Sequence, residues 1–155
     1  MGLFDKKKSS PEIDQVAALL KRATPDIEWV DGGDGEWAIR EGSTLIRLVT
    51  ETEVLSEGPS LNIIGNVAWG VTESIAMYST LLNELTPFLA RWECFPSDNG
   101  GVDLVISRRH LLADLTDQGF TMALADVAGA SDAFDERIVE KFGGKTTVDQ
   151  LGWDD

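Results

Sequence analysis

The residues SLNIIGNVAWGV, positions 60–71, carry apolar side chains on both sides of an alternating pattern. In an extended strand Leu61, Ile63 and Trp69 share one face, and Ile64 lies on the other. An antiparallel sheet with one solvated face alternates more cleanly. Helices therefore cover one face and a partner or second subunit part of the other, or the helices of one chain cover both. The sequence alone leaves these alternatives open.

The residues before this run have the same β-rich character. Strongly turn-forming segments, DGGDG (31–35), EGS (41–43) and SEGPS (56–60), separate the apolar runs. Such spacing predicts a meander of antiparallel strands. The predicted strands are residues 27–30, 37–40, 44–50 and 61–69.

Helices and two further strands flank the meander. Ser10 and Pro11 are typical of a helix start, and Pro25 ends that helix after about Ala23. A second helix begins at Thr72 and ends before Pro87. Its predicted core stripe is Ile75, Ala76, Leu81, Leu82 and Leu85. Strands over 88–95 and 102–107 and a helix over 112–142 complete the chain.

This order predicts an α+β fold with an antiparallel sheet and helices packed on it. Residues 1–10 are expected to be a flexible basic tail, 11–144 a single domain, and 145–155 an acidic C-terminal tail. The sequence leaves open whether Trp153 of this tail docks on the domain.

Charge excludes some classes of partner. The chain has 13 basic and 27 acidic residues, a net charge of −14, which repels nucleic acid and anionic lipid. No apolar run is long enough to span a membrane, and the N-terminus lacks a secretory signal. The single cysteine, Cys94, excludes an intrachain disulfide and fits a reducing compartment. We expect a cytoplasmic protein.

The sequence offers little catalytic chemistry. His110 is the only histidine, and with Cys94 it is too few ligands for a zinc site. DGGDGE, residues 31–36, lacks the spacing of a calcium loop and is better explained as a hairpin turn. No phosphate- or dinucleotide-binding motif occurs. These observations predict no catalytic residues, no cofactor and no metal, and hence not an enzyme.

Binding of another protein fits the pattern better. Four of the five tryptophans lie in predicted strands, where they serve as core or as a binding platform. The residues predicted to contact a partner are Ile46, Leu48, Ile64, Trp69, Trp92 and Phe95. Core packing competes with partner contact for all of them.

Several segments together resemble the YbjN family, which is similar in fold to the class I chaperones of type III secretion. They are WAIREGSTLIRL (37–48), SLNIIGNVAWGV (60–71), LLNELTPFLARWECF (81–95), VDLVISRRHLL (102–112) and EKFGG (140–144). The resemblance implies an α-β-β-β-α-β-β-α order, a homodimer without catalytic residues, and an extended client segment held along apolar grooves. One departure is an additional strand near Trp37 or Ile27.

The leading hypothesis is a chaperone-like or regulatory domain that binds a protein or peptide client and forms a homodimer. A small-molecule sensory domain is the alternative. An unrecognised enzyme, built around His110 and its neighbouring arginines, is the least favoured.

Overall fold

A computed structural model describes residues 10–52 and 58–153. These residues include a 3-10 turn at Leu112–Asp114. In chain order the elements are α1 (Pro11–Ala23), β1 (Val30–Gly33), β2 (Glu36–Glu41), β3 (Thr44–Glu51), β4 (Ser60–Val71), α2 (Ile75–Asn83), β5 (Arg91–Pro96), β6 (Val102–Leu111), α3 (Asp117–Phe142), β7 (Lys145–Thr146) and α4 (Thr147–Leu151). The predicted α+β class is confirmed. Four strands, β1 to β4, precede α2, one more than the three of the α-β-β-β-α order.

The strands form one antiparallel sheet in the order β1-β2-β3-β4-β6-β5. Glu41 pairs with Thr44, so the β2–β3 connection is a two-residue turn, and Gly42 takes a positive φ of 57° there. Beyond the start of β3, β7 pairs with β4 at Ala68 and Trp69. The two-residue turns place β1, β2 and β3 side by side, as the sequence indicated, whereas β4 and β6 pair although α2 and β5 lie between them in the chain.

The core lies between one face of the sheet and the helices. α1 begins with Ser10 as its N-cap, whose hydroxyl accepts a hydrogen bond from the Ile13 N–H, and Pro11 follows as predicted. α3 crosses β4 and β6 and contacts α1. Gly65 of β4 permits this approach, because a Cβ there would overlap Ser131 of α3. The largest fully buried side chains include Phe120, Ile46, Leu48, Leu61, Ile63, Met77, Leu104, Ile106 and Ile138.

The opposite face of the sheet carries Arg47, Ile64 and Ser107 side by side on β3, β4 and β6. Among the described residues, the C-terminal segment reaches this face at one end. The Arg40 guanidinium lies 4.7 Å from the Trp153 ring centroid, and the Thr147 hydroxyl donates to the Asn66 carbonyl at 3.3 Å. Docking of Trp153 at this end of the face is thus observed.

Several element bounds differ from the prediction. β5 begins at Arg91 and not at residue 88, because the Leu89 N–H is held by Asp126 of α3. β6 does not stop at residue 107, since pairing with β4 carries it to Leu111. α3 begins at Asp117, where the Thr116 hydroxyl caps it, and not at residue 112.

The C-terminal segment, expected as an acidic tail, contains β7 and α4. The Thr146 hydroxyl caps α4, and Gly152 ends it in the left-handed conformation. Most of the predicted basic tail, residues 1–9, lies outside the described residues, as do residues 154–155.

Candidate functional site

The connection from α1 to β1 shapes the apolar surface of the molecule. The Thr24 hydroxyl donates to the Leu20 carbonyl at 2.9 Å and accepts from the Trp29 indole N–H at 3.0 Å. The Ile27 N–H donates to the Thr24 carbonyl at 3.1 Å. These bonds fix a short connection between α1 and the sheet, with Pro25 ending the helix.

Two open grooves lie on either side of this connection and share Thr24 and Ile27. The α1 groove, of about 310 Å³, is lined by Ala17, Leu20, Lys21, Thr24, Pro25, Ile27, Trp29 and Trp37. The α3 groove, of about 280 Å³, is lined by Thr24, Ile27, Ile39, Glu41, Ile46, Thr121, Leu124, Ala125 and Ala128.

The grooves are mainly apolar in a strongly acidic chain. One charged residue lines each: Lys21 in the α1 groove and Glu41 in the α3 groove. Ile27 is half-buried and lines both grooves, as Thr24 does. A surface of this composition accommodates apolar side chains, with one rim charge of each sign.

A hydrogen-bonded contact holds the β2–β3 turn against α3 beside the α3 groove. The Ser43 N–H and hydroxyl both donate to Asp132, at 3.1 and 2.7 Å. The Ser43 hydroxyl also lies 2.6 Å from Asp135 Oδ2. The hydroxyl bond, and then the N–H bond, hold the pKa of Asp132 below its ordinary value.

The structure distributes the six predicted contact residues over several surroundings. Ile46 and Leu48 are fully buried, and Ile46 forms part of the α3 groove floor. Ile64 is half-buried on the opposite face of the sheet, and Phe95 is 48 % exposed on the outer strand β5.

The two tryptophans among the six are half-buried and hydrogen-bonded. The Trp69 indole N–H donates to the Thr147 hydroxyl at 3.4 Å. The Trp92 indole N–H donates to the Leu85 carbonyl at 2.6 Å, and its ring stacks on Phe134 with centroids 5.8 Å apart. The six therefore do not form one continuous site.

A second apolar surface, which the sequence pattern did not predict, lies on α2. Ile75 and Leu82, expected in the core, are 89 % and 71 % exposed, while Met77, Leu81 and Leu85 are buried. The reason is that α2 starts at Ile75, with Ser74 as its N-cap, which places this residue on the outer side of the first turn.

Tyr78 lies between Ile75 and Leu82 at helical spacing and is 37 % exposed. We call Ile75, Tyr78 and Leu82 the α2 stripe. The Tyr78 hydroxyl donates to Glu73 at 2.7 Å, which raises the pKa of Tyr78 to about 12. The spacing of these residues, and the absence of charge in 75–83, were available in the sequence as a signal.

The residues with potential reactivity are separated. His110 lies within β6, where burial and then the nearby Arg108 lower its pKa. Cys94 is exposed on β5, and burial of part of its surface, then Glu73, raise the pKa of the thiol. A raised pKa makes a thiol less reactive.

Among residues 10–52 and 58–153, no group of three or more His, Cys, Asp or Glu side chains is placed to hold a metal ion. Within the same ranges, no helix has both the length and the apolar character needed to cross a membrane.

Comparison with known proteins supports the fold. No family model and no curated protein matches this chain. A chain in the crystal structure of the ExsC–ExsE complex is similar to it in structure, with a TM-score of 0.54 and 15 % identity. The match covers 81 % of this chain and 92 % of that chain. At this identity the likeness establishes a shared fold.

Proposed function

We propose that this chain is a chaperone-like or regulatory binding protein that holds an extended, apolar segment of a client protein across the α1 and α3 grooves. It acts in the cytoplasm, as a homodimer and without catalysis. The observation that carries the proposal is the pair of apolar grooves meeting at Ile27.

The shape of the grooves favours an extended chain. Each has room for a few apolar side chains, and the two grooves adjoin at their shared residues Thr24 and Ile27. In an extended peptide, side chains on one face repeat about every 7 Å, so successive side chains of that face enter successive grooves. A folded domain is too broad to enter spaces of about 310 and 280 Å³.

The sheet edge supplies further interactions beside the α1 groove. β1 is an outer strand, and Val30 at its start is 66 % exposed, directly after the groove residue Trp29. An outer strand offers unpaired N–H and carbonyl groups to an extended partner. Backbone pairing along β1 would therefore add to side-chain burial in the α1 groove.

The predicted contact residues enter the proposal differently. Ile46 contributes the floor of the α3 groove, and Leu48 is buried behind it in the core. Ile64 and Phe95 are proposed contacts outside the grooves, for a longer client segment that continues around the sheet. Trp69 and Trp92 are proposed to contribute their exposed parts.

Homodimer formation is supported by the α2 stripe. Two copies of a chain with a net charge of −14 repel each other, so a self-contact requires a surface without acidic side chains. Residues 75–83 contain no charged residue and expose the α2 stripe. Pairing of two such helices buries this surface with no charged residue of 75–83 in the contact, and Glu73, bonded to Tyr78, lies at its margin.

Two glutamate variants on α3 test the client groove. Ala125 is exposed and lines the α3 groove, and Ala133 is exposed on the same helix outside both grooves. Ala125→Glu places a carboxylate in the groove and is expected to lower client recovery at least tenfold. The measurement is affinity co-purification from native cytoplasm at moderate salt, quantified by mass spectrometry.

Ala133→Glu is the matched control, because it adds the same charge to the same helix. We expect its client recovery and its thermal unfolding to match the wild type. Equal recovery of a stoichiometric client by Ala125→Glu and wild type would contradict the groove assignment. If the wild type recovers no client, the dedicated-client proposal fails.

A small-molecule ligand is the second candidate, favoured by the volume of the grooves, which is at the lower end for ligand pockets. It predicts thermal stabilisation by a metabolite, lost in Ala125→Glu. The open shape of both grooves favours the peptide.

A further inference from the structure

β6 has an unpaired stretch along its outer edge. β5 pairs with it from Val102 to Ser107, whereas β4 pairs with it as far as Leu111. In the part of the chain that the structure describes, no strand lies beside 108–111 on the β5 side. The chain leaves this edge before Arg91, because the Leu89 N–H is bonded to Asp126 of α3. Backbone groups of β6 are thus available to an added strand.

A wide opening of about 330 Å³ lies at this edge. Its lining residues are Leu89, Arg91, Ser107, Arg108, Arg109 and His110. The register places Arg108 and His110 on the helix-covered face, opposite Ile63 and Leu61. Arg109 projects from the other face. An added strand here would meet basic side chains on both of its faces.

Two buried nitrogen atoms at this edge have no hydrogen-bond partner. They are Arg108 Nη1 and His110 Nε2. The carboxylate paired with Arg108 is that of Asp126, whose Oδ2 lies 4.0 Å from Nη1 and already accepts from the Leu89 N–H at 3.0 Å. A buried guanidinium N–H without an acceptor is costly, and because 18 % of the Arg108 side chain is exposed, a rotation that brings Nη1 to an added acceptor is favourable.

The other two arginines have acidic partners but retain free donors. Arg91 Nη2 lies 2.9 Å from Glu93, which is also bonded to the Ser107 hydroxyl. Arg109 Nη2 lies 2.9 Å from Glu51. Each guanidinium has five N–H donors, so one ion pair does not exhaust it. In a chain of net charge −14, this edge is where three arginines converge.

We propose that a short acidic, extended segment of a partner protein adds to the edge of β6 at 108–111 and places a carboxylate on Arg108. The backbone of β6 supplies the pairing, Arg108 the principal charge contact, and Arg109 a second contact on the other face. His110 is held neutral near pH 7 by burial and by Arg108, which lower its pKa, and adds a neutral contact. This site is separate from the grooves, and its proposal does not depend on client binding there.

A pair of strand-forming peptides tests the inference. The probe is fluorescein-labelled Glu-Val-Glu-Val-Glu-Val, compared with Lys-Val-Lys-Val-Lys-Val by fluorescence anisotropy at moderate salt. We expect the acidic peptide to bind and the basic one not to bind. Arg108→Gln and Arg109→Gln should each weaken binding about tenfold, since each removes a charged hydrogen bond.

Arg47→Gln is the matched control, an arginine on the interior strand β3 whose loss should leave binding unchanged. Ala125→Glu should also bind normally, which separates this site from the grooves. Absent or equal binding of the two peptides, or equal weakening by Arg47→Gln, overturns the proposal. If Arg108→Gln fails to fold by circular dichroism, wild-type affinity in Arg109→Gln overturns it.

Discussion

The paired grooves and the α2 stripe are both apolar surfaces, but they differ in shape and in the elements that form them. The grooves are concave, set between α1, α3 and the sheet around the fixed Thr24–Trp29 connection. The α2 stripe is a convex row on a nine-residue helix. A narrow concave surface accepts an extended chain, and a convex row meets another broad surface. Shape, more than apolar content, separates the proposed client-binding surface from the proposed self-association surface.

The largest expected effect comes from lifting α3 off β4, which would remove the concave surface and leave α2 in place. Gly65→Ala puts a Cβ into the space of Ser131 and is expected to lower the free energy of unfolding by about 2–3 kcal/mol. Urea denaturation measures it.

Gly129→Ala is the control for that change, because nothing lies within 4 Å of the added Cβ on the same helix. It should stabilise the chain by about 0.5–1 kcal/mol. An unchanged urea midpoint for Gly65→Ala would show that α3 packs less closely on β4 than the structure indicates.

A charge on the α2 stripe should affect dimer formation and leave client recovery unchanged. Leu82→Asp is expected to raise the dimer dissociation constant at least tenfold, since it loses about 1.5–3 kcal/mol of burial and adds repulsion. Client recovery per folded chain should stay within twofold. Sedimentation equilibrium measures the association.

Met122→Asp supplies the comparison, a 54 % exposed apolar residue on α3 outside the stripe. It should associate like the wild type. A wild type that sediments as a monomer, or a Met122→Asp variant as weakened as Leu82→Asp, would remove the dimer role of α2.

The smallest effect concerns the turn beside the α3 groove. Ser43→Ala removes the hydroxyl contacts with the exposed Asp132 and with the buried Asp135, and it should cost about 1 kcal/mol. The pKa of Asp132 is lowered in the folded chain, so its contribution is present at neutral pH and is lost as pH falls below about 4.

Thermal unfolding at pH 7 and pH 3 compares the two chains. The stability difference between wild type and Ser43→Ala should shrink at the lower pH. A difference that grows on acidification would contradict the assigned direction of the Asp132 pKa.

The sheet was predictable because its information is local. The apolar pattern in residues 60–71 and the glycine turn at 42 define strands and antiparallel neighbours without tertiary context. The first strand differs from its prediction over 27–30: β1 is Val30–Gly33, so Asp31 and Gly33 of the predicted turn pair with β2. The end of β6 was not predictable in this way, since Arg108, Arg109 and His110 have no strand preference of their own and are held by pairing with β4.

The candidate sites depended on distant contacts. The α3 groove brings Thr24 and Ile27 beside residues about a hundred positions later, from Thr121 to Ala128. No local pattern contains that juxtaposition. The buried face of α2 was predicted wrongly for another reason. The apolar positions on α2 are compatible with more than one buried face, and tertiary packing selected the face with Met77 and Leu81.

The pairing of β7 with β4 has a consequence for synthesis. Ala68 pairs with Thr146, so this part of β4 leaves the ribosome 78 residues before its partner. At about 5–20 residues per second, that delay is roughly 4–16 seconds. During that interval the growing chain exposes an unpaired strand edge, the kind of surface that aggregates or recruits folding helpers.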